Sequence, residues 1–370
     1  DSLPPAIPDT GQITVGTPGG GQVTVSAPAD SATAGDTVTL TNTRTGVSVQ
    51  TNVNGDGSYT TPIGAQPGDD IVILITDPVG NTTASRILKV AGTAPALDLV
   101  VSTPLDGSSV NESHVGVTGT YQGAANVGIT VNGSTAQTIG STFCAGTVSL
   151  EAGSNQLDVV ATAPDGTNTT QSLTVTSAGS SLIELEVDRD TGFASHTVTF
   201  SLTDNTGATL TSVEYDIDSD GTPEYTTADP AATFQHTYTE PGCYTATVTA
   251  MDDVAESYTG TRMIVVAEAT ELVSGVQAVY YGLLDNLRKG DVPAATSAFT
   301  VTSQDHYESL FTAMQPTLGE IADTLGAVTR TQVSGNLAEI IVTRKKNGVP
   351  FVYTVNLIRS ESGIWRIEDM

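Results

Sequence analysis

Apolar and polar residues alternate through most of the chain up to Val266, the pattern of strands with one face on a core and the other in water. Gln22 to Ser26, Thr37 to Thr41 and Val47 to Thr51 alternate, whereas Ile71 to Thr76 runs almost wholly apolar. Turn formers separate these stretches: Asn54-Gly55-Asp56-Gly57, Pro67-Gly68-Asp69-Asp70 and Asp77-Pro78-Val79-Gly80-Asn81. A second set follows the Ala91–Pro95 linker, with Ser141-Thr142-Phe143, Val148-Ser149-Leu150 and Leu157–Val160 as strand stretches. A third set predicts strands at Ile183–Val187, Thr197–Leu202, Val213–Ile217, Thr233–Thr237, Tyr244–Ala250 and Gly260–Val266.

The period changes at Ala269. Leu272, Val276, Val279, Tyr280, Leu283, Leu284 and Leu287 recur at spacings of three and four, one face of a helix that Gly290-Asp291 ends. Val292 to Phe299 reads as a short second helix, and Thr302-Ser303 as the cap of a third running to Leu325. Strands are expected at Gly326–Val333, Ala338–Lys345, Pro350–Ile358 and Trp365–Glu368, with turns at Asn347-Gly348 and Ser362-Gly363.

Residue runs within these sets resemble known modules. GDTVTL, NGDGSYTTPI and PGDDIVILITDPVGN, in that order, resemble a bacterial immunoglobulin-like domain, as does the run from Ser141 to Gly166. Tyr215-Asp216-Ile217-Asp218 with Asp220-Gly221, and His236-Thr237-Tyr238 with Pro241-Gly242 and Tyr244, resemble a PKD domain, although Ile217 and the extra Asp218 depart from its usual run. Helices before an antiparallel meander ending Gly-x-Trp-Arg-Ile resemble an NTF2-like (cystatin-like) domain. The resulting expectation is a mainly β chain: a Pro-rich arm at 1–15, immunoglobulin-like sandwiches at 16–93 and 94–178, a PKD-like sandwich at 179–268 and an α+β NTF2-like domain at 269–370. Sandwiches strung end to end make a rod.

Charge narrows the partners. Lys and Arg total 13 against 41 Asp and Glu, a net charge of −28, which disfavours nucleic acid and anionic lipid. No apolar run approaches the roughly 18 residues that cross a bilayer, and a chain opening at Asp1 on a Pro-rich run reads as a processed, secreted protein. An extended arm of this kind suits addition to a neighbour's sheet edge. The two cysteines, Cys144 and Cys243, fall in strands of different modules. In an extended rod they lie too far apart for an intrachain bridge, which leaves buried thiols or a bridge between neighbouring molecules.

Chemistry concentrates in one place. Asp216, Asp218, Asp220 and Glu224 surround a Gly turn, where carboxylates at alternate positions converge on a hard cation such as calcium or form a solvated acidic turn. Sandwich topology puts this loop and Glu240–Cys243 at the pole facing the C-terminal domain, so a cation there is structural. Asn52-x-Asn54-x-Asp56-Gly57 has calcium-like spacing but reads as a hairpin turn. The four histidines are scattered, HExxH and G-x-S-x-G are missing, and Asp305-His306 reads as a surface pair at a helix start. Tyr280, Phe299, Phe311, Phe351 and Trp365 line either a packed core or a small-ligand cone. The expected protein is a non-enzymatic extracellular element that self-associates or joins other surface proteins in an assembly or filament. The alternative is an accessory carbohydrate- or ligand-binding region of a secreted hydrolase or larger surface protein.

Overall fold

The computed structural model describes residues 3–346 and 349–370, with side chains for 3–344 and 349–370. The chain is mainly β: sandwiches in tandem, then helices and a four-stranded sheet. The expected Asn347-Gly348 turn lies outside the described residues.

The first sandwich packs the sheet of Thr14–Val15, Gln22–Ala27 and Tyr59–Gly64 on that of Ser48–Asn52, Thr37–Asn42, Asp70–Thr76 and Arg86–Lys89. Alternation explains the contact: Val23, Val25, Val38, Leu40, Ile63, Ile71, Ile73 and Ile75 point inward and are buried. The second sandwich places Gln137–Ile139, Thr142–Ser149, His114–Gln122 and Asp98–Thr103 over a five-stranded sheet centred on Gly153–Thr162. The third packs Ile183–Val187, His196–Asp204 and Phe234–Tyr238 on a five-stranded sheet built around Ser257–Ala267, Gly242–Asp252 and Leu210–Asp216.

Helix α1 (Ala269–Lys289) follows directly, with Glu268 accepting from Thr270 N–H at its start and Gly290 left-handed at φ 68° at its end. Helices α2 (Val292–Thr296), α3 (Val301–Ala313) and α4 (Leu318–Thr324) come next. The single third helix expected from the pattern is divided, because Pro316 lies in a short 3-10 turn between α3 and α4. The sheet that closes the domain runs Ala327–Ser334, Leu337–Lys346, Val349–Arg359, Trp365–Asp369, antiparallel throughout. Tyr280, Phe299, Phe311 and Trp365 are buried in its core, Phe299 stacking on Tyr307 at 3.9 Å, while Phe351 is 45% exposed and lines no cone.

The modules do not stand end to end. Val72, Leu74 and Ile87 of the first sandwich join the core cluster of α1 and the C-terminal sheet. Arg86 of the same sandwich shares Asp323 of α4 with Arg288, at 2.9 and 2.8 Å. The C-terminal domain also sits on the second sandwich, and the second sandwich lies flank to flank with the third. The expected rod is therefore folded back on itself. Residues 3–13 carry no strand; Pro4 lines one side of a groove whose other walls include Gly80–Thr82 and Asp323–Thr324.

Candidate functional site

The acidic loop grows out of strand Leu210–Asp216. Tyr215 and Ile217 point into the core, 1% and 3% exposed, so alternation turns Asp216 and Asp218 outward. Ser219 at φ 58° and Gly221 at φ 88° then close a tight bend. Glu224 returns over it: its N–H donates to Tyr215 O at 2.8 Å and its Oε2 accepts from Ile217 N–H at 2.9 Å. Asp216, Asp218 and Glu224 each place an oxygen within 4.8 Å of the others. Asp220 lies outside this group, its Oδ1 accepting from Thr222 N–H at 2.7 Å. Asp216 Oδ2 accepts from Gly221 N–H, whereas its buried Oδ1 has no partner. Hard oxygen donors with a lone pair to spare fit a calcium-type ion.

Beside the loop lies an open cleft of about 270 Å³ lined by Asp218, Glu224, His236, Tyr238, Glu240 and Tyr244. All belong to the third sandwich, so the loop's neighbours are local and not the C-terminal domain. Tyr238 donates to Ile217 O at 2.9 Å and packs 4.5 Å from Tyr244, which donates to Glu240 O. Burial lowers the pKa of His236 despite the pull of Glu224 and Asp218 in the other direction.

The second constellation is a joint between modules. Cys144 and Cys243 form a disulfide, Cα atoms 6.1 Å apart and 99 positions apart in sequence. This overturns the expectation of no intrachain bridge, which assumed end-to-end sandwiches. Strand Thr142–Ser149 instead lies along Ser257–Ala267, and Cys144, Met263 and Val265 form a buried seam with Ile139 and Cys243. The strands approach closely: a Cβ on Gly116 would lie 2.3 Å from the flexible Met263 Cε and 3.0 Å from its Cβ. At one end of the seam buried Glu112 accepts from Thr261 N–H and Oγ1, at 2.7 and 2.9 Å, with His114 Nε2 3.5 Å away. Burial pushes the Glu112 carboxyl up, against the Thr261 hydrogen bonds and the His114 and Arg262 charges.

A third contact seats the C-terminal domain on the second sandwich. Asn126 brackets Trp365, donating to its carbonyl and accepting from its N–H at 3.1 and 2.9 Å. Arg359 is 7% exposed and donates to Ala136 O and Gly363 O, and burial pushes its pKa down to about 10. Arg366 donates to Pro164 O at 2.7 Å. Glu271 on α1 takes Gly140 N–H on both oxygens, at 2.8 and 2.9 Å.

The histidines have separate surroundings. His114 is at the seam, His196 contacts Arg189 O, His236 packs on Tyr238, and Asp305 and His306 are exposed on α3. Sequence reasoning missed the seam residues. Their signal was the unbroken apolar run Met263–Ala267, every member buried, which in an antiparallel sheet means that both faces are covered.

Residues 97–178 match the family model of glucodextranase domain B, and residues 183–265 that of the PKD domain. No curated protein matches the chain. Among solved structures, fibronectin(III)-like modules of Clostridium thermocellum CbhA are similar at 14% identity, over 46% of this chain and 95% of theirs, with a TM-score of 0.20. The PKD domain of an M14-like peptidase from a Thermoplasmatales archaeon is similar at 22% identity, over 24% of this chain and 94% of its own, with a TM-score of 0.19. A tetra-tandem repeat from the extending region of a large adhesion protein is similar at 19% identity, over 68% and 74%, with a TM-score of 0.25. A PKD-domain match and a cross-module disulfide are features typical of extracellular proteins.

Proposed function

We propose that this chain is a non-catalytic accessory region of a secreted hydrolase or larger surface protein, a welded spacer that also carries a carbohydrate or related ligand. The observation that carries the reading is the bridge between Cys144 and Cys243, with its apolar seam, joining the two modules whose family models match. A bridge of this span holds modules in fixed relation, which suits a presenting element. The cleft beside the acidic loop offers the rings of Tyr244 and His236 for the C–H face of a sugar and carboxylates for its hydroxyls. Affinity electrophoresis through gels holding soluble α- or β-glucans tests it. Retardation lost on Tyr244→Ala supports the reading, and unretarded migration through every glucan removes the carbohydrate part.

The acidic loop belongs to the same proposal as a structural calcium site of Asp216, Asp218 and Glu224. Calorimetric titration is expected to show calcium binding that Asp216→Asn abolishes; no heat at millimolar calcium removes the site. A structural or adhesive subunit of a surface assembly is the second reading, favoured by one feature of the C-terminal sheet.

A further inference from the structure

The hairpin of Leu337–Lys346 and Val349–Arg359 runs past the sheet it belongs to. Its neighbour on one side ends with Ala327 opposite Thr343, and its neighbour on the other pairs only at Asn356–Arg359. Arg344 faces Phe351 in a ribbon of two strands alone. Val349, Pro350, Phe351 and Val352 are exposed in succession, so both faces of the ribbon meet solvent. Val349 is 54% exposed and Val352 64%. An uncovered two-stranded ribbon is marginal in water, and a contiguous apolar patch marks a contact surface.

The ribbon is also the wrong charge for its molecule. Arg344-Lys345-Lys346 gathers three of the chain's 13 basic residues into one tripeptide, in a protein of net charge −28. The Arg344 guanidinium lies 5.9 Å from the Phe351 ring centroid, and among the described residues no carboxylate pairs with it. A cation such as Arg344 beside exposed apolar side chains complements an acidic surface, and 41 acidic residues make the rest of this same chain such a surface.

We infer that the ribbon docks on the acidic surface of a second copy of this chain. Ribbon and acidic surface are different patches, so the contact is heterologous and each copy keeps a free ribbon or a free seat for the next. The inference stands apart from glycan or calcium binding, neither of which involves the ribbon. Sedimentation velocity of the oxidised full chain over a concentration series tests it. The wild type is expected to associate reversibly, less so as salt screens the charges. Arg344→Glu and Phe351→Ser should each weaken association by about tenfold or more while leaving the melting curve unchanged, since both side chains act outside the core. A wild type that stays monomeric at every concentration, or variants that associate as it does, overturns the inference. Co-sedimentation of a monomeric chain with anionic phosphatidylserine vesicles, lost in Arg344→Glu, would overturn it too and give the ribbon to a lipid surface.

Discussion

Asp69 does more for the first sandwich than its place in a turn announces. Its side chain is 3% exposed and accepts from Arg44 Nε at 2.6 Å, Asn42 Nδ2 at 2.7 Å and Gln66 N–H at 2.9 Å. Burial alone would raise its pKa, but these donors outweigh burial and hold the carboxyl below its ordinary value of 3.8. A carboxyl depressed by folding contributes stability that is present above its unfolded pKa and is lost as pH falls through the folded one. Asp69→Asn is expected to cost roughly 3 kcal/mol at neutral pH, because it leaves Arg44 without its countercharge in a half-buried site. Urea denaturation measures the loss, and the gap from wild type should close below the folded pKa.

At the scale of elements, the joints are set by close approach. A Cβ on Gly128 would lie 2.1 Å from Ser362 O and 2.5 Å from Gly363 C, so only glycine lets the turn before Trp365–Asp369 seat on the second sandwich. Gly128→Ala is expected to lift that turn away, and limited proteolysis should then cut at Ser360–Gly363, where the wild type resists. Much of this level was legible in the sequence. Strand Ile183–Val187 falls where alternation put it, and α1 follows the Leu and Val stripe from Leu272 to Leu287. The short edge strands Arg86–Lys89, Thr191–Phe193 and Tyr225–Thr227 were not legible, since a few residues give no period to read. The acidic loop was visible as a motif; that Asp220 turns to Thr222 depends on bend geometry that spacing does not carry. The joints escaped notice for another reason. Alternation reports one buried face, and the unbroken runs Ile71–Ile75 and Met263–Ala267 already said that a second face was covered, by α1 and by the second sandwich.

For the whole molecule, the cross-module bridge is the largest single constraint. Closing a loop of 99 positions stabilises the fold by about 4–5 kcal/mol in the chain-entropy account. Cys144→Ser with Cys243→Ser is expected to lose about that much by chemical denaturation. On non-reducing gels the wild type should run as a compact monomer that slows on reduction, without the ladder that bridges between molecules would give. The bridge also decides how the chain answers a pull on its two ends. Tension arriving at Cys144 passes through sulfur to Cys243, and the segment between them, about 330 Å of contour when drawn out, stays slack. That segment holds the acidic loop and every named residue of its cleft except Tyr244, which directly follows the bridge. A stretched molecule therefore shields them from mechanical load until a reductant arrives, and a single-molecule trace should gain that length only then.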